Sequence, residues 1–341
     1  CGNRQNTDQL IPVEDFFVKP EKSNFRISPD GKKIAYLGVD DHCRNIFVLD
    51  LQDKSKSKQL TYQSDMNVQY FFWTSDSSIV YANSHSATDS LRIFGISIND
   101  EKSNSLLPVK KARLRWLQPQ RLYKDYLLAS LNDRDSTVFD LYKIFVDGRR
   151  PQLLTRNPGN VLNWFPSPDG QVRLAVTSDS VQESILYRPS EQSPFTQVST
   201  TDYQTLIQPL GFVKNEKNII YALSNDGRDK LALVEYNIEK GEEERLLYSN
   251  DEVDLEPYGY SDNLQEMVFS QYTADRSEKL FFNKTFQRNF EILSSQFKDR
   301  SIDIIDTDTS LNHWIVKIAT DVNAGGIYHY DALAKKANLL L

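Results

Sequence analysis

Few side chains in this 341-residue sequence are of types that do chemistry, and their spacing is the first thing to weigh. There are four histidines, His42, His85, His313 and His329, and two cysteines, Cys1 and Cys43. A catalytic or metal-bound imidazole needs a converging carboxylate or a second ligand. None of the four has one at ligand spacing, so His313 and His329, beside Trp314 and between Tyr328 and Tyr330, read as hydrogen-bonded structural residues. Cys43 in "DDHCRN" has only His42 beside it and reads as a buried, unreactive thiol; a disulfide to Cys1 cannot be inferred from two cysteines. No glycine opens a G-x-S-x-G nucleophile elbow: Gly95-Ile-Ser97 is followed by Asn99, and Gly259-Tyr-Ser261 by Asn263. No catalytic residue, metal ligand or cofactor site is therefore expected in the chain. The remaining candidate is the acidic run "DEVDLEP", with Asp251, Glu252, Asp254 and Glu256. On its residues alone it reads as a solvated connecting loop.

Charge and composition narrow the partners. The net charge is −7 and no Lys/Arg-rich block stands out, which argues against nucleic acid. "RLRWLQPQR", Arg113 to Arg121, is basic and aromatic, but its alternation places Leu114 and Trp116 on one face and Arg113 and Arg115 on the other, as an ordinary strand would. Those arginines could line a central channel. No apolar run approaches the ~20 residues that span a bilayer.

The elements that must hold these residues follow from a repeat. The corner "SPDG" occurs at Ser28 and again at Ser167. Equivalent corners begin at Ser75, Gln118, Lys214, Ser261 and Thr307, giving successive intervals of 47, 43, 49, 47, 47 and 46 residues. An aromatic or large aliphatic residue precedes each corner closely: Phe25, Trp73, Trp116, Trp164, Phe212, Tyr260 and Ile305. Three strand-like runs follow most corners, as in "KIAYL", "NIFVLDL" and "KQLT" of the first unit. Pro presets φ in the corner, Asp bonds the backbone and Gly accepts positive φ. Four antiparallel strands in about 40–50 residues describe a β-propeller blade. One such sheet buries too little surface alone, so the units must stack.

The expectation is thus an all-β chain, a seven-bladed β-propeller of four-stranded antiparallel blades. A flexible tether covers residues 1–9 and the propeller residues 10–341, with blades at about 20–62, 66–108, 112–155, 159–200, 205–249, 253–300 and 301–341. The apolar lead-in residues Leu10, Ile11, Phe16 and Phe17 are expected to pack against the propeller or to add to the last blade. In the sixth unit "KTFQRNFEILSSQFKDR", residues 284–300, stands where a fourth strand should be. Its apolar Phe286, Phe290, Leu293 and Phe297 follow helical spacing, so an amphipathic helix of about three turns is expected, on the outside of the propeller or between two blades.

"IPVEDFFVKPEKSNFRISPDGKKIAYLG" resembles the entry segment of the prolyl oligopeptidase family of serine peptidases, in particular its acylaminoacyl and dipeptidyl peptidase branches. The stretch from "KLFFNKTFQRNFEILSSQF" to "YHYDALAKKANLLL" is similar to the family's strand, helix and last blade. The resemblance implies the non-catalytic propeller of such a peptidase, gating short peptides toward a C-terminal α/β-hydrolase domain that carries the catalytic triad and lies outside these residues. It also implies a role for propeller-borne glutamates in holding the amino group of a substrate, for which Glu252 and Glu256 are the candidates. The start, "CGNRQNTDQ", resembles a mature bacterial lipoprotein. That resemblance implies a lipid on Cys1, membrane contact through this anchor only, and a place in the bacterial cell envelope, periplasmic or attached to the outer membrane. The alternative is a stand-alone TolB-like propeller lipoprotein that binds a protein or glycan.

Overall fold

The computed structural model describes residues 20–341 apart from 41, 85–90, 108–112, 121 and 321–322. Cys1, the 1–9 tether, the lead-in residues Leu10, Ile11, Phe16 and Phe17, and also His85 and Arg121, lie outside the described residues.

Nearly all regular structure is antiparallel sheet, laid down in chain order. Unit 1 comprises β1 (Lys22–Ile27), β2 (Lys33–Asp40), β3 (Cys43–Asp50) and β4 (Lys58–Gln59). Unit 2 has β5 (Asn67–Ser75), β6 (Ser78–Ser84), β7 (Arg92–Ser97) and β8 (Ser103–Ser105). Unit 3 has β9 (Leu114–Trp116), β10 (Tyr126–Asp135), β11 (Val138–Phe145) and β12 (Gln152–Thr155). Unit 4 has β13 (Val161–Pro166), β14 (Val172–Ser178), β15 (Gln182–Tyr187) and β16 (Thr196–Asp202). Unit 5 has β17 (Ile207–Phe212), β18 (Ile219–Ser224), β19 (Ala232–Asn237) and β20 (Glu242–Tyr248). Unit 6 has β21 (Tyr260–Ser261), β22 (Glu266–Met267), β23 (Phe269–Thr273), β24 (Ser277–Phe281) and the helix α1 (Lys284–Gln296). Unit 7 has β25 (Ser301–Thr307), β26 (His313–Thr320), β27 (Asn323–Asp331) and β28 (Lys336–Leu339). Six of these units are four-stranded sheets with each strand paired to the next, and unit 6 is split into two two-stranded ladders.

The core lies between the units. Ala35, Leu37 and Ile46 of unit 1 pack with Phe71, Trp73 and Ile79 of unit 2. Further clusters join units 2 and 3, 3 and 4, 4 and 5, 5 and 6, and 6 and 7. Phe25, Ile27 and Ile34 of unit 1 meet Ile315 of unit 7, so the array closes on itself. Sheets apolar on both faces and stacked in a closed ring are a β-propeller.

Among the described residues no strand is exchanged at the closing seam. Unit 1 begins with its own first strand, and β28 pairs only with β27. Side chains bridge it instead. The Asp306 carboxylate accepts a hydrogen bond from the Ile27 N–H at 2.9 Å, and Thr309 donates to the Pro29 carbonyl through its N–H at 3.0 Å and its hydroxyl at 2.8 Å. Burial pushes the Asp306 carboxyl up to about 6, against the pull of Arg26 and the two N–H donors from Ile27 and Thr307.

The corners form as their residue types require. Ser28 donates to Asp30 at 2.7 Å and Ser167 to Asp169 at 2.6 Å, while Gly31 and Gly170 take φ of 72° and 81°. These glycines also permit close approach: a Cβ on Gly31 would lie 2.5 Å from His313, and one on Gly170 2.6 Å from Tyr123. In "RLRW", Leu114 and Trp116 turn toward the apolar cluster shared by units 2 and 3. The guanidinium of Arg115 stacks over Phe139 of its own unit at 4.0 Å.

An ion pair with a buried carboxylate fastens unit 3. Asp140 is fully buried and receives Arg134 in a two-pronged contact at 2.8 and 2.9 Å, and the Asn157 N–H at 2.8 Å. Burial works against the charge, but these donors outweigh it and hold the carboxyl below its ordinary range. Asp140→Ala leaves the Asn157 N–H without its acceptor. Because Arg134 stays partly in water, the expected loss is about 2 kcal/mol, measurable by urea unfolding.

Unit 6 departs from the four-strand pattern at both ends, at the outer one through the helix that the sequence predicts. Gly259, at φ 84°, interrupts the first strand; a Cβ there would lie 2.0 Å from the Phe269 carbonyl. The pairing resumes upstream only at the single bridge between Glu256 and Gln271. At the outer end α1 replaces the fourth strand, opened by Asn283, whose side chain accepts the Phe286 N–H at 3.0 Å. The helix stops at Gln296, short of the expected 300, because Phe297 leaves helical geometry and Asp299 turns to φ 61°. It packs between units 6 and 7: Phe286 stacks on Trp314 at 4.2 Å, Phe290 meets Phe281, and Tyr330 donates its hydroxyl to the Asn289 carbonyl at 3.2 Å.

Candidate functional site

Strand polarity gives the ring two unlike faces. The corners after each first strand gather at one end, and the second-to-third turns, such as Asp40–Cys43 and Thr273–Ser277, at the other. A cavity of about 390 Å³ opens on the corner face, lined by Trp73, Gln120, Tyr260, Asp262 and Thr309 among others, so corners of separate units surround it. The opposite face carries both ends of the described propeller. Lys22 pairs with Gly38 near the paired Asp40 and Cys43, and the Leu341 carbonyl accepts the Ile327 N–H at 2.9 Å on the strand that begins at Asn323, the partner of Thr320.

Glu252 and Glu256 stand on this terminal face, in the link from unit 5 to unit 6. Glu252 is exposed, and its N–H donates to the Asn250 side chain at 2.8 Å. Glu256 is half-buried and held: its carboxylate accepts from Gln271 at 3.1 Å and from the Thr273 hydroxyl at 2.8 Å. No hydrogen bond or ion pair found among the described residues ties both carboxylates to one group. Such a carboxylate, fixed by two donors with lone pairs to spare, is suited to receive an ammonium.

Across the edge of unit 6 the sequence concealed a second group. A cleft of about 660 Å³ lies between β24, α1 and the start of β25, lined by Lys279, Phe281, Phe290, Arg300, Ile302 and Asp303 among others. Burial pulls the Lys279 ammonium below its usual range, against the opposing influence of Asp303, Glu256 and Glu278. The i, i+2 placement of Ser277, Lys279 and Phe281 was the available signal, because alternate strand residues share a face.

The histidines of unit 7 form a stacked pair. His313 Nδ1 lies 3.2 Å from His329 Nε2, with ring centroids 5.3 Å apart. His329 is buried, and burial together with His313 pushes its imidazole down to about 4. Asp308 beside them is occupied by the N–H groups of Asn312 and His313, both at 2.8 Å. The corner serines Ser28 and Ser167 donate to aspartates. A nucleophilic serine needs a base positioned to take its proton, and these two face carboxylates already engaged in turn bonds. Cys43 is free and buried. Among the described residues no three His, Cys, Asp or Glu side chains converge as a metal site, and no helix is long and apolar enough to cross a membrane.

Comparison with known proteins supplies the context for this ring. No family model matches the sequence. The dipeptidyl peptidase family member 6 of Caenorhabditis elegans is 22% identical over 97% of this chain and 47% of its own length. The dipeptidyl aminopeptidase BIII of Pseudoxanthomonas mexicana is 21% identical over 70% of this chain and 35% of its own. Among solved structures, prolyl oligopeptidase B from Galerina marginata superposes with a TM-score of 0.59 at 13% identity, over 94% of this chain and 50% of that one. The chain thus spans about half, or less, of the length of these three proteins. The chain is a β-propeller, similar in sequence to these two dipeptidyl peptidases and in fold to the propeller of a prolyl oligopeptidase.

Proposed function

We propose that the chain is the seven-bladed propeller part of a prolyl oligopeptidase-like serine peptidase, and that it restricts access of short peptides to an α/β-hydrolase domain of the same polypeptide. The observation that carries this reading is the extent of similarity: nearly the whole chain, but under half of the C. elegans relative. The direction of the chain agrees with it. A domain continuous with Leu341 would be mounted over the terminal face, where Glu252 and Glu256 stand. The hydrolase would perform acyl transfer through its own Ser-His-Asp triad. The propeller would contribute the entrance and, through Glu256 and Glu252, a carboxylate contact for the amino group of the peptide. Cys1 would carry the lipid that holds the protein to a bacterial envelope membrane.

The test uses the protein of the native reading frame. Intact mass reports its length and any lipid on Cys1. The full protein is expected to cleave dipeptidyl nitroanilides, and the fragment 1–341 is expected to cleave none. A reading frame that ends close after Leu341, or cleavage by the fragment itself, overturns the peptidase reading; the first result would favour a stand-alone binding module. In the full protein, Glu256→Gln and Glu252→Gln are expected to raise KM about tenfold for substrates with a free N-terminus, as the loss of a charge-assisted hydrogen bond does. Substrates with a blocked N-terminus should be unaffected.

A further inference from the structure

Every described unit except the sixth pairs its third strand with a fourth. In unit 6 the third strand, β24, pairs with β23 and with nothing beyond it. The helix that follows runs back in the direction a fourth strand would take. It packs on the faces of units 6 and 7, through Phe286 and Phe290, and not along the backbone of β24.

The register shows which backbone groups this leaves open. The Phe282 N–H bonds the Val268 carbonyl at 2.9 Å, and the Ala274 N–H bonds the Arg276 carbonyl at 3.2 Å. In an antiparallel ladder the bonded positions alternate. Leu280 and Glu278 therefore turn their N–H and C=O groups toward β23, and Ser277, Lys279 and Phe281 turn theirs outward. No backbone partner for these outward groups occurs among the described residues. They recur every second residue, about 6.8 Å apart, a spacing complementary to the main chain of another strand.

The side chains beside this edge select among strands. Ser277, Lys279 and Phe281 share the face that borders the 660 Å³ cleft. Phe281, Phe290 and Ile302 offer apolar contact there. Lys279 is partly desolvated, lies 5.8 Å over the Phe290 ring, and has no carboxylate within ion-pair distance among the described residues. A second copy of β24 is a poor occupant, because antiparallel pairing about its centre would set Lys279 directly against Lys279.

We infer that unit 6 is completed by strand addition: an extended peptide segment binds along β24, with an aliphatic residue toward Phe281 and Phe290 and a carboxylate two residues away opposite Lys279. Main-chain bonds supply the affinity, and alternate side chains supply the selectivity. This site is independent of the hydrolase reading, since all its parts lie in this chain.

The probe is a fluorescein-labelled, end-blocked peptide Thr-Val-Thr-Glu-Val-Thr, titrated with the chain 1–341 and followed by anisotropy. Saturable binding is expected, with preference over the same peptide carrying Lys in place of Glu. N-methylation of alternate residues should distinguish the two phases: methyls on the edge-facing amides should weaken binding about tenfold or more, and methyls in the other phase should not. Lys279→Pro removes an outward N–H without touching the β23 ladder and is expected to abolish binding; Lys279→Glu should reverse the Glu-over-Lys preference. Circular dichroism reports whether either variant remains folded, and the methylated peptides test the unaltered protein. Absence of saturable binding, equal effects of both methylation phases, or a β24-dependent dimer in sedimentation would each overturn the inference.

Discussion

Replacing Trp314 with alanine is expected to lower the unfolding free energy by about 4 kcal/mol, the upper part of the range for deleting a fully buried large aromatic. Trp314 has no exposed surface, stacks on Phe286 at 4.2 Å, meets Tyr330 edge-on at 5.2 Å and donates its indole N–H to the Leu311 carbonyl at 2.7 Å. The substitution therefore empties the contact between α1 and units 6 and 7, and it unties the corner at Leu311. Phe286→Ala, at the other side of the same stack, should cost about 3 kcal/mol. The double variant should lose less than the sum, because the two side chains share one cavity. Urea unfolding followed by far-ultraviolet circular dichroism provides the measurement. A loss under about 1 kcal/mol for Trp314→Ala would mean that the helix is not held by this stack.

That stack also shows how far the sequence could be read. The repeat of corners, the strands after them and the helix with Phe286, Phe290, Leu293 and Phe297 on one side are local patterns, visible because period and turn chemistry are written in consecutive residues. The neighbour of each helical aromatic is not local. Nothing near Phe286 in the chain names Trp314 as its partner. The same limit applies to the corner glycines. Their positive φ follows from the turn, but the crowding of Gly31 by His313 depends on ring closure between units 1 and 7. Gly259 interrupts the first strand of unit 6 where the sequence reads as one more ordinary unit, because the Phe269 carbonyl that forbids a Cβ arrives from the next strand. In the candidate site, Glu256 and Glu252 were visible as charges. The bonds from Gln271 and Thr273 that fix Glu256, and the open edge of β24, appear only once strand register is known.

Two titratable groups in unit 7 should give opposite pH dependences, and separating them tests the closing seam. The Asp306 carboxyl is raised in the folded state, from an ordinary value of 3.8 to about 6, chiefly by burial; Arg26 and Asp308 are the charged groups acting on it. The folded protein thus takes up this proton before the unfolded chain does. Stability from this group increases as pH falls through 6 toward 3.8, and is lost as pH rises again. The His329 imidazole is lowered from 6.5 to about 4 by burial and by His313, with Asp331 and Asp308 opposing. Here the unfolded chain is protonated first, so stability is lost as pH falls from 6.5 toward 4. Each shift corresponds to about 3 kcal/mol across its window, so in the native protein the two largely offset one another between pH 4 and 6. Asp306→Asn should expose the histidine: relative to the parent, it should become about 3 kcal/mol less stable on going from pH 7 to pH 4. His329→Asn should show the reverse, a relative gain of similar size over the same interval. Urea unfolding at pH 7, 6, 5 and 4 measures both slopes, and comparing slopes removes the pH-independent effect of altering hydrogen bonds to Ile27 and Thr307. If Asp306→Asn parallels the parent at all four values, the carboxyl titrates as it does in water, and the bond from Ile27 then closes the ring through a solvated group.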